Sequence, residues 1–323
     1  MGLAGLSATD EVRTFAELRK RAQEVGPKRV GVVLADDEVA LAAMADAFRT
    51  GLAFPVLIGN EQHIRAKAES LGFSDLVAKA EFVHAEEGAA AHAVKMAREG
   101  SIDILMKGHL RTDQLLRPVL DKEHGLRNGR LLCDVAFFET RHTGQPKLLG
   151  LTDGGINVAP NLEQKKQIIL NAIEMMHCMG MHRPRVAVMS AIEVVTEAMP
   201  STVDAHALTQ MSLAGEFGQA DVFGPLALDN ALLHYAAKAK GIVNRVAGNA
   251  DCLIVPSVEA GNLLGKALFV LAGLESGHAV VGAKVPILIP SRAEDANTKV
   301  NTISLGVLYA SGLGAKGSTK AEG

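Results

Sequence analysis

Between residues 29 and 120, short apolar runs and helical periodicities take turns, and this alternation leaves the chain few folds to choose from. Residues 29–35 (RVGVVLA) form a β-branched run of the buried-strand kind. Asp36 and Asp37 then offer a helix N-cap, and Ala40, Leu41, Met44, Ala47 and Phe48 recur at helical spacing. The pattern repeats: strands at 54–59, 81–84 and 102–106, helices at 61–70, 87–98 and 112–120. Strands separated by helices cannot pair as hairpins, so the expectation is a parallel sheet covered by helices on both faces.

Texture changes over 125–146, where Gly, Asn, Arg and Thr interrupt short apolar pieces, and a boundary is placed near Lys147. Beyond it the spacing predicts helices over 161–179, 202–213, 231–240 and 262–272, and strands over 185–190, 252–255 and 285–290. A last helix is expected over about 294–310, with a frayed small-residue tail from Gly312. At 323 residues the chain is long enough for two buried cores. A formal charge of −3 argues against nucleic acid as the main partner. Trp is absent and aromatics are 4%, which removes base-stacking platforms and leaves small polar or phosphorylated ligands. No uncharged apolar run reaches the ~18 residues a membrane span needs. Asp10, Glu11, Arg13 and Glu17 break up the N-terminus before an export signal could form, so a cytoplasmic protein is expected. Cys133, Cys178 and Cys252 are widely spaced, without a CxxC pair, and read as reduced and mostly buried.

Several segments carry chemistry-bearing residues. The first strand runs into Asp36 and Asp37 instead of a GxGxxG turn, and two acids there would repel a pyrophosphate. Residues 261–266 (GNLLGK) are one short of a phosphate loop and have Ala267 where a hydroxyl should hold Mg²⁺. No pair of histidines has the HExxH spacing, so no metal site is read. More telling is 107–118 (KGHLRTDQLLRP), which sets Lys107, Gly108, His109, Arg111 and Arg117 around the carboxyl end of a strand. Guanidinium forks suit phosphate oxygens, and Arg117, flanked by Leu116 and Pro118, is an unnatural choice for a solvated face. In 290–295 (PSRAED), Ser291 can cap the next helix with Glu294 completing a capping box. Arg292 would then sit at a helix start, where a bound anion would offset its charge. Polar turns at 152–157 (TDGGIN), 190–193 (SAIE), 224–229 (GPLALD) and 259–262 (EAGN) each stand next to an apolar strand. Their shared placement points to one cleft.

These segments together resemble the phosphate acetyl/butyryltransferase family. The likeness rests on MKGHLRTDQLLRP, LTDGGINVAPNLEQK, RVAVMSAIEVV, MPSTVDA, FGPLALDNAL, DCLIVPSVEAGNLLGK and VPILIPSRAED, in the family's order, over about residues 28–310. It implies two α/β domains of the isocitrate/isopropylmalate dehydrogenase type, with the active site in a cleft between them. Residues 1–147 plus 286–323 would form the first domain and 148–285 the inserted second, carrying a homodimer interface. It also implies reversible transfer of an acetyl, propionyl or butyryl group between coenzyme A and inorganic phosphate. Coenzyme A would be a substrate, with no tightly bound cofactor and no metal in the chemical step.

Carried over by residue, Arg117 matches a position implicated in binding phosphate or acyl phosphate. Arg292 would hold phosphate and Ser291 would hydrogen-bond the reacting oxygen. The acetyl-specific branch has an Asp seven residues after that Ser to help deprotonate the thiol, where this chain has Thr298. Glu294 and Asp295 are the nearest acids, and the base stays open between them and a group elsewhere. The departure makes the chain resemble the butyryl-type and enoyl-hydratase-fused branches more. The expected site is therefore Ser291, Arg292, Glu294 and Asp295 for the chemistry, with Lys107, Gly108, His109, Arg117, Asp153, Asn157, Ser190, Asp229 and Asn262 binding substrate. Two other readings stand beside it: a non-catalytic module that binds coenzyme A or acyl phosphate, and a metal- and NAD-dependent dehydrogenase of the same fold.

Overall fold

The computed structural model of the protein describes residues 11–85, 87–291 and 294–320, with side chains as far as Gly314. Its strands, in chain order, are β1 (Lys28–Val33), β2 (Ala53–Gly59), β3 (Glu81–His84), β4 (Ile104–Lys107), β5 (Cys133–Thr140), β6 (Lys147–Thr152), β7 (Arg185–Met189), β8 (Asp221–Leu226), β9 (Cys252–Ile254), β10 (Ser276–Val281) and β11 (Ile287–Leu288). The chain gathers into two compact units. The first holds Ala16–Arg130 and the described residues from Gly277 onward; the second holds Leu131–Ser276 and the described residues up to Phe15. The divisions fall at 130/131 and 276/277; the change in texture put a boundary near Lys147, and the resemblance implied 147/148 and 285/286.

In the first unit the strand order is β3-β2-β1-β4-β11-β10. β1 pairs in parallel with β2 and β4, β2 with β3, and β4 with β11, while β10 runs antiparallel to β11. Parallel strands buried on both faces need near-continuous apolar sequence, which the VGVV of β1 and the PVLI of β2 supply. The helix Glu38–Arg49 begins where the sequence places it: the Asp37 carboxylate accepts the Ala40 N–H at 2.9 Å, and Ala40, Leu41, Met44 and Ala47 are buried. An Asp37→Ala change should cost about 1 kcal/mol of stability, read as a lower denaturant midpoint at unchanged slope.

The last helix differs from expectation. It runs Ala296–Lys320, so the expected frayed tail from Gly312 is helical as far as Lys320. It is anchored by Ile303, Leu305, Val307, Leu308 and Tyr309, all buried. Once such a face is packed, each further residue adds a hydrogen bond without a new nucleation cost, so small residues can continue the helix.

In the second unit the order is β5-β6-β9-β7-β8, with β5 antiparallel to β6 and the other neighbours parallel. β6 and β8 are the apolar strands expected beside the turns at 152–157 and 224–229, whereas β5 and β10 lie where no strand was expected. β5 explains why: its burial alternates through Cys133, Val135 and Phe137 against half-buried Asp134 and Ala136, and this two-residue period is hidden by polar neighbours. Helix Leu162–Cys178 has a reciprocal cap between Asn161 and Gln164. The single helix expected over 231–240 is two, Leu228–Leu232 and His234–Ala239, meeting at the extended Leu233. The helix expected from 262 is Val258–Lys266, passing into a π-helical turn at Ala267–Leu271.

At the amino ends of β6, β7 and β9 lies a buried charge cluster. The Asp251 carboxylate, 5% exposed, accepts Arg185 Nε and Nη2 at 2.8 Å each and Lys147 Nζ at 2.7 Å. Burial alone would push the Asp251 carboxyl up; Arg185 and Lys147 outweigh it and hold it below the usual carboxylate range. Among the described residues no helix is long and apolar enough to cross a membrane.

Candidate active site

Parallel sheets present ligands to the carboxyl ends of their strands, where helix N-termini and loop amides converge. In the first unit, β1 and β4 end side by side. Lys107 closes β4 and turns its ammonium back onto the carbonyls of Gly108 and Leu110, at 3.2 and 3.1 Å. The Gly108 N–H donates to Val33 O at 3.0 Å and that of His109 to Leu34 O at 2.8 Å, so this loop is stitched to the end of β1. A methyl on Gly108 would run into the Leu34 carbonyl oxygen and sit 2.7 Å from that of Val33. Only glycine fits here. His109 is exposed, its Nδ1 3.7 Å from Asp36 Oδ2, in a depression it shares with Asp37, Glu38 and Lys67. The carboxylates of Asp36, Asp37 and Glu38 disfavour a pyrophosphate directly after β1, the repulsion expected from Asp36 and Asp37.

Helix Thr112–Val119 follows. Leu115 and Val119 face inward four residues apart, so Arg117 is turned out to solvent, on the solvated face its flanking Leu116 and Pro118 had argued against. Arg111 is paired with Asp113 at 2.9 Å, whereas the Arg117 guanidinium has no partner among the described residues.

Ser291 follows β11, which lies parallel to β4, and so shares the same sheet edge as Lys107. Its side chain is exposed. It does not cap the helix as expected. Asp295 does, its Oδ1 accepting the Thr298 N–H at 2.8 Å, because the helix begins at Ala296 and places Asp295 at the capping position. Glu294 is therefore not part of a capping box. Its Oε1 lies 3.2 Å from His278 Nε2, and its backbone N–H donates to the Ser291 carbonyl at 3.2 Å. Thr298 Oγ1, at the position of the acid in the acetyl-specific branch, is buried without a partner among the described residues. Arg292 lies outside the described residues.

The second unit has a matching edge, where β6, β9, β7 and β8 end together. After β6, Asp153 is buried, and its carboxylate accepts N–H groups from Gly155, Ile156 and Asn157 at 2.9–3.0 Å and the Asn157 side-chain amide. Burial raises the Asp153 carboxyl above its usual range, against the pull of those donors. The Asn157 amide also reaches Leu132 O at 2.8 Å, so both residues hold the loop's shape. Asn262, exposed on the helix after β9, donates to Gly154 O at 3.2 Å, which joins the TDGGIN and EAGN segments. Ser190 follows β7, its hydroxyl 2.8 Å from that of Ser201. Asp229 is exposed in the first turn after β8, beside an apolar depression lined by His142, Leu228, Leu232 and Leu233. Cys133 and Cys252 are fully buried, and desolvation pushes both thiols far up, which leaves them inert. Among the described residues, no group of His, Cys, Asp or Glu is placed to hold a metal ion.

The family model described as phosphate acetyl/butaryl transferase matches residues 77–307, which takes in the second unit's edge and, in the first unit, the segments around Lys107, Arg117 and Ser291. The chain belongs to the phosphate acetyl/butyryltransferase family. A phosphate butyryltransferase of Clostridium beijerinckii is 40% identical over 300 residues, covering 92% of this chain and 98% of the relative. A phosphate acetyltransferase of Rhizobium meliloti is 40% identical over 278 residues, covering 85% and 86%. Among solved structures, a branched-chain phosphotransacylase from Enterococcus faecalis superposes with a TM-score of 0.77 at 28% identity, over 88% of this chain and 99% of that one. The mixed α/β architecture is thus the family's. Sequence reasoning missed His278, which sits alone in an apolar strand and makes its contact with Glu294 across 16 positions.

Proposed function

We propose that the protein transfers a short acyl group reversibly between coenzyme A and inorganic phosphate. The observation that carries this reading is that, in a chain of this family, Arg117 on the helix after β4 is exposed and without a partner among the described residues, and Ser291, after the neighbouring strand β11, is exposed. In the direction of acyl-CoA synthesis, the thiol gives its proton to a base and the thiolate attacks the carbonyl carbon of the acyl phosphate. The carbonyl electrons move onto oxygen, where Ser291 donates a hydrogen bond. Collapse then breaks the carbon–oxygen bond, and phosphate departs with the electron pair. Arg117 and Arg292 meet that growing charge. Asp295 is the acid proposed to take the thiol proton: it is exposed, whereas Glu294 is half-buried against His278. A free thiol ionises near pH 8.5, so such a base raises the reactive fraction at neutral pH.

Asp153 and Asn157 are proposed to shape the loop after β6. Ser190, Asp229, Asn262, Lys107, Gly108 and His109 are proposed as substrate contacts along their edges. We also propose the isocitrate/isopropylmalate dehydrogenase type for the two domains and a cytoplasmic homodimer. Exposed Leu263, Val270 and Leu271 support a subunit interface on the second unit.

The test is phosphate-dependent release of free thiol from acetyl-, propionyl- and butyryl-CoA, without added metal or NAD. Release only when phosphate is present is the expected result, and the ranking of rates gives the acyl preference. Arg117→Ala should lower kcat/KM by about 10²-fold. Silence with all three substrates, in folded protein that binds coenzyme A, would favour a binding module instead.

A further inference from the structure

We infer that His278 is a positioning residue for acyl transfer, acting through Glu294 to hold Ser291; the inference rests on the role proposed above for Ser291. The geometry forms a continuous relay within the first unit. His278 stands on β10, its backbone N–H donating to Thr302 Oγ1 of the last helix at 3.2 Å. Its ring Nε2 donates to Glu294 Oε1 at 3.2 Å, with side-chain exposures of 20% and 12%. Glu294 in turn donates its own N–H to the Ser291 carbonyl at 3.2 Å. Ser291 itself is open to solvent. The rigid end of the relay is a sheet strand, and the exposed end is the hydroxyl proposed to meet the reacting oxygen.

The pair is poorly built as a stabilising device. Glu294 Oε2 is buried and has no hydrogen-bond partner among the described residues. A carboxylate sunk with an acceptor left unfilled costs free energy that a buried apolar side chain at the same place would not. What the pair does supply is placement. Asp295 fixes the helix start by capping Thr298, and Glu294 fixes the residue before it against β10, so the carbonyl of Ser291 has an anchored donor. Catalytic hydrogen-bond donors must be held to within about 0.5 Å, and a shift of about 1 Å can cost about 10²-fold in rate.

The experiment is a double-mutant cycle between His278→Ala and Ser291→Ala, with His278→Gln as the conservative variant. The readout is kcat for phosphate-dependent thiol release from butyryl-CoA, and melting temperatures are recorded for each variant. Ser291→Ala is expected to slow turnover by about 10²-fold and His278→Ala by about tenfold. The double variant should be no slower than Ser291→Ala alone, because His278 acts only through that hydroxyl. His278→Gln retains a side-chain N–H donor and should return turnover to within about threefold of the unaltered protein. If the His278→Ala penalty persists in full on the Ser291→Ala background, or is absent from the start, the inference is overturned while acyl transfer stands. If His278→Ala melts too early to assay, the His278→Gln and Ser291→Ala cycle decides it: a Gln penalty that survives in the double variant overturns the relay. An unaltered protein that releases no thiol with phosphate overturns the acyl-transfer reading, and the inference falls with it.

Discussion

Replacing Gly108 with alanine is expected to lower stability by about 3 kcal/mol, seen as a drop in denaturant midpoint, and to abolish phosphate-dependent thiol release. The cause is backbone against backbone. The added methyl would meet the Leu34 carbonyl oxygen and lie 2.7 Å from that of Val33. A side chain could rotate away, but these carbonyls accept the N–H groups of His109 and Gly108 and cannot retreat without breaking both bonds. The loop must instead lift off the end of β1, taking Lys107 and the start of the Arg117 helix with it. Gly265→Ala is the control: in the helix Val258–Lys266, its methyl would find only Leu151 and Phe138 side chains at 3.4 and 3.7 Å. That change should be neutral or slightly stabilising. A Gly108→Ala protein with an unchanged midpoint would mean that the loop does not pack on β1 as described.

Asp251→Asn should cost about 3–5 kcal/mol, because it leaves Lys147 and Arg185 facing one another without their shared counter-charge. The effect has a defined pH dependence. Since the folded protein holds the Asp251 carboxyl below its ordinary value of 3.8, the unfolded chain takes up the proton more readily. The stabilisation is therefore complete above about pH 4 and fades as pH falls through the lower folded value. Denaturant titrations of both proteins from pH 7 to pH 3 should show two midpoints that are far apart at neutrality and converge in acid. A gap that is constant down to pH 3 would show that the carboxylate's charge is not what matters.

How much of this is legible in the sequence depends on the range over which the cause acts. β1, β2 and β4, the Asp37 cap and the helix after it can be read directly, because burial on both faces and a side chain reaching its own N3 amide are local effects. β5 cannot, since its polar residues sit on a half-covered face and blur the period. The segments around Lys107, Asp153, Ser190, Asp229, Asn262 and Ser291 are recognisable as turns after strands, and the structure puts them at strand carboxyl ends. Which partner each side chain takes is another matter. Ser291 and Asp295 compete for one helix start, and only the helix's first residue, Ala296, decides for Asp295. The contact between His278 and Glu294 joins separate elements, and the outward turn of Arg117 follows from Leu115 and Val119 being the residues that pack.

The order in which the first unit's strands leave the ribosome has a consequence for how the protein is made. β4 pairs on one side with β1 and on the other with β11, Leu105 lying opposite Ile287. At about 5–20 residues per second, β4 waits roughly 10–35 seconds for that second neighbour. During that interval it presents a bare row of amides and carbonyls on an apolar strand, the kind of edge that recruits other chains. The second unit, whose strands are contiguous in sequence, can complete its sheet in the meantime. Overexpression, which crowds nascent chains, should therefore favour inclusion bodies seeded by the ILMK strand, and slower synthesis at low temperature should improve the soluble yield.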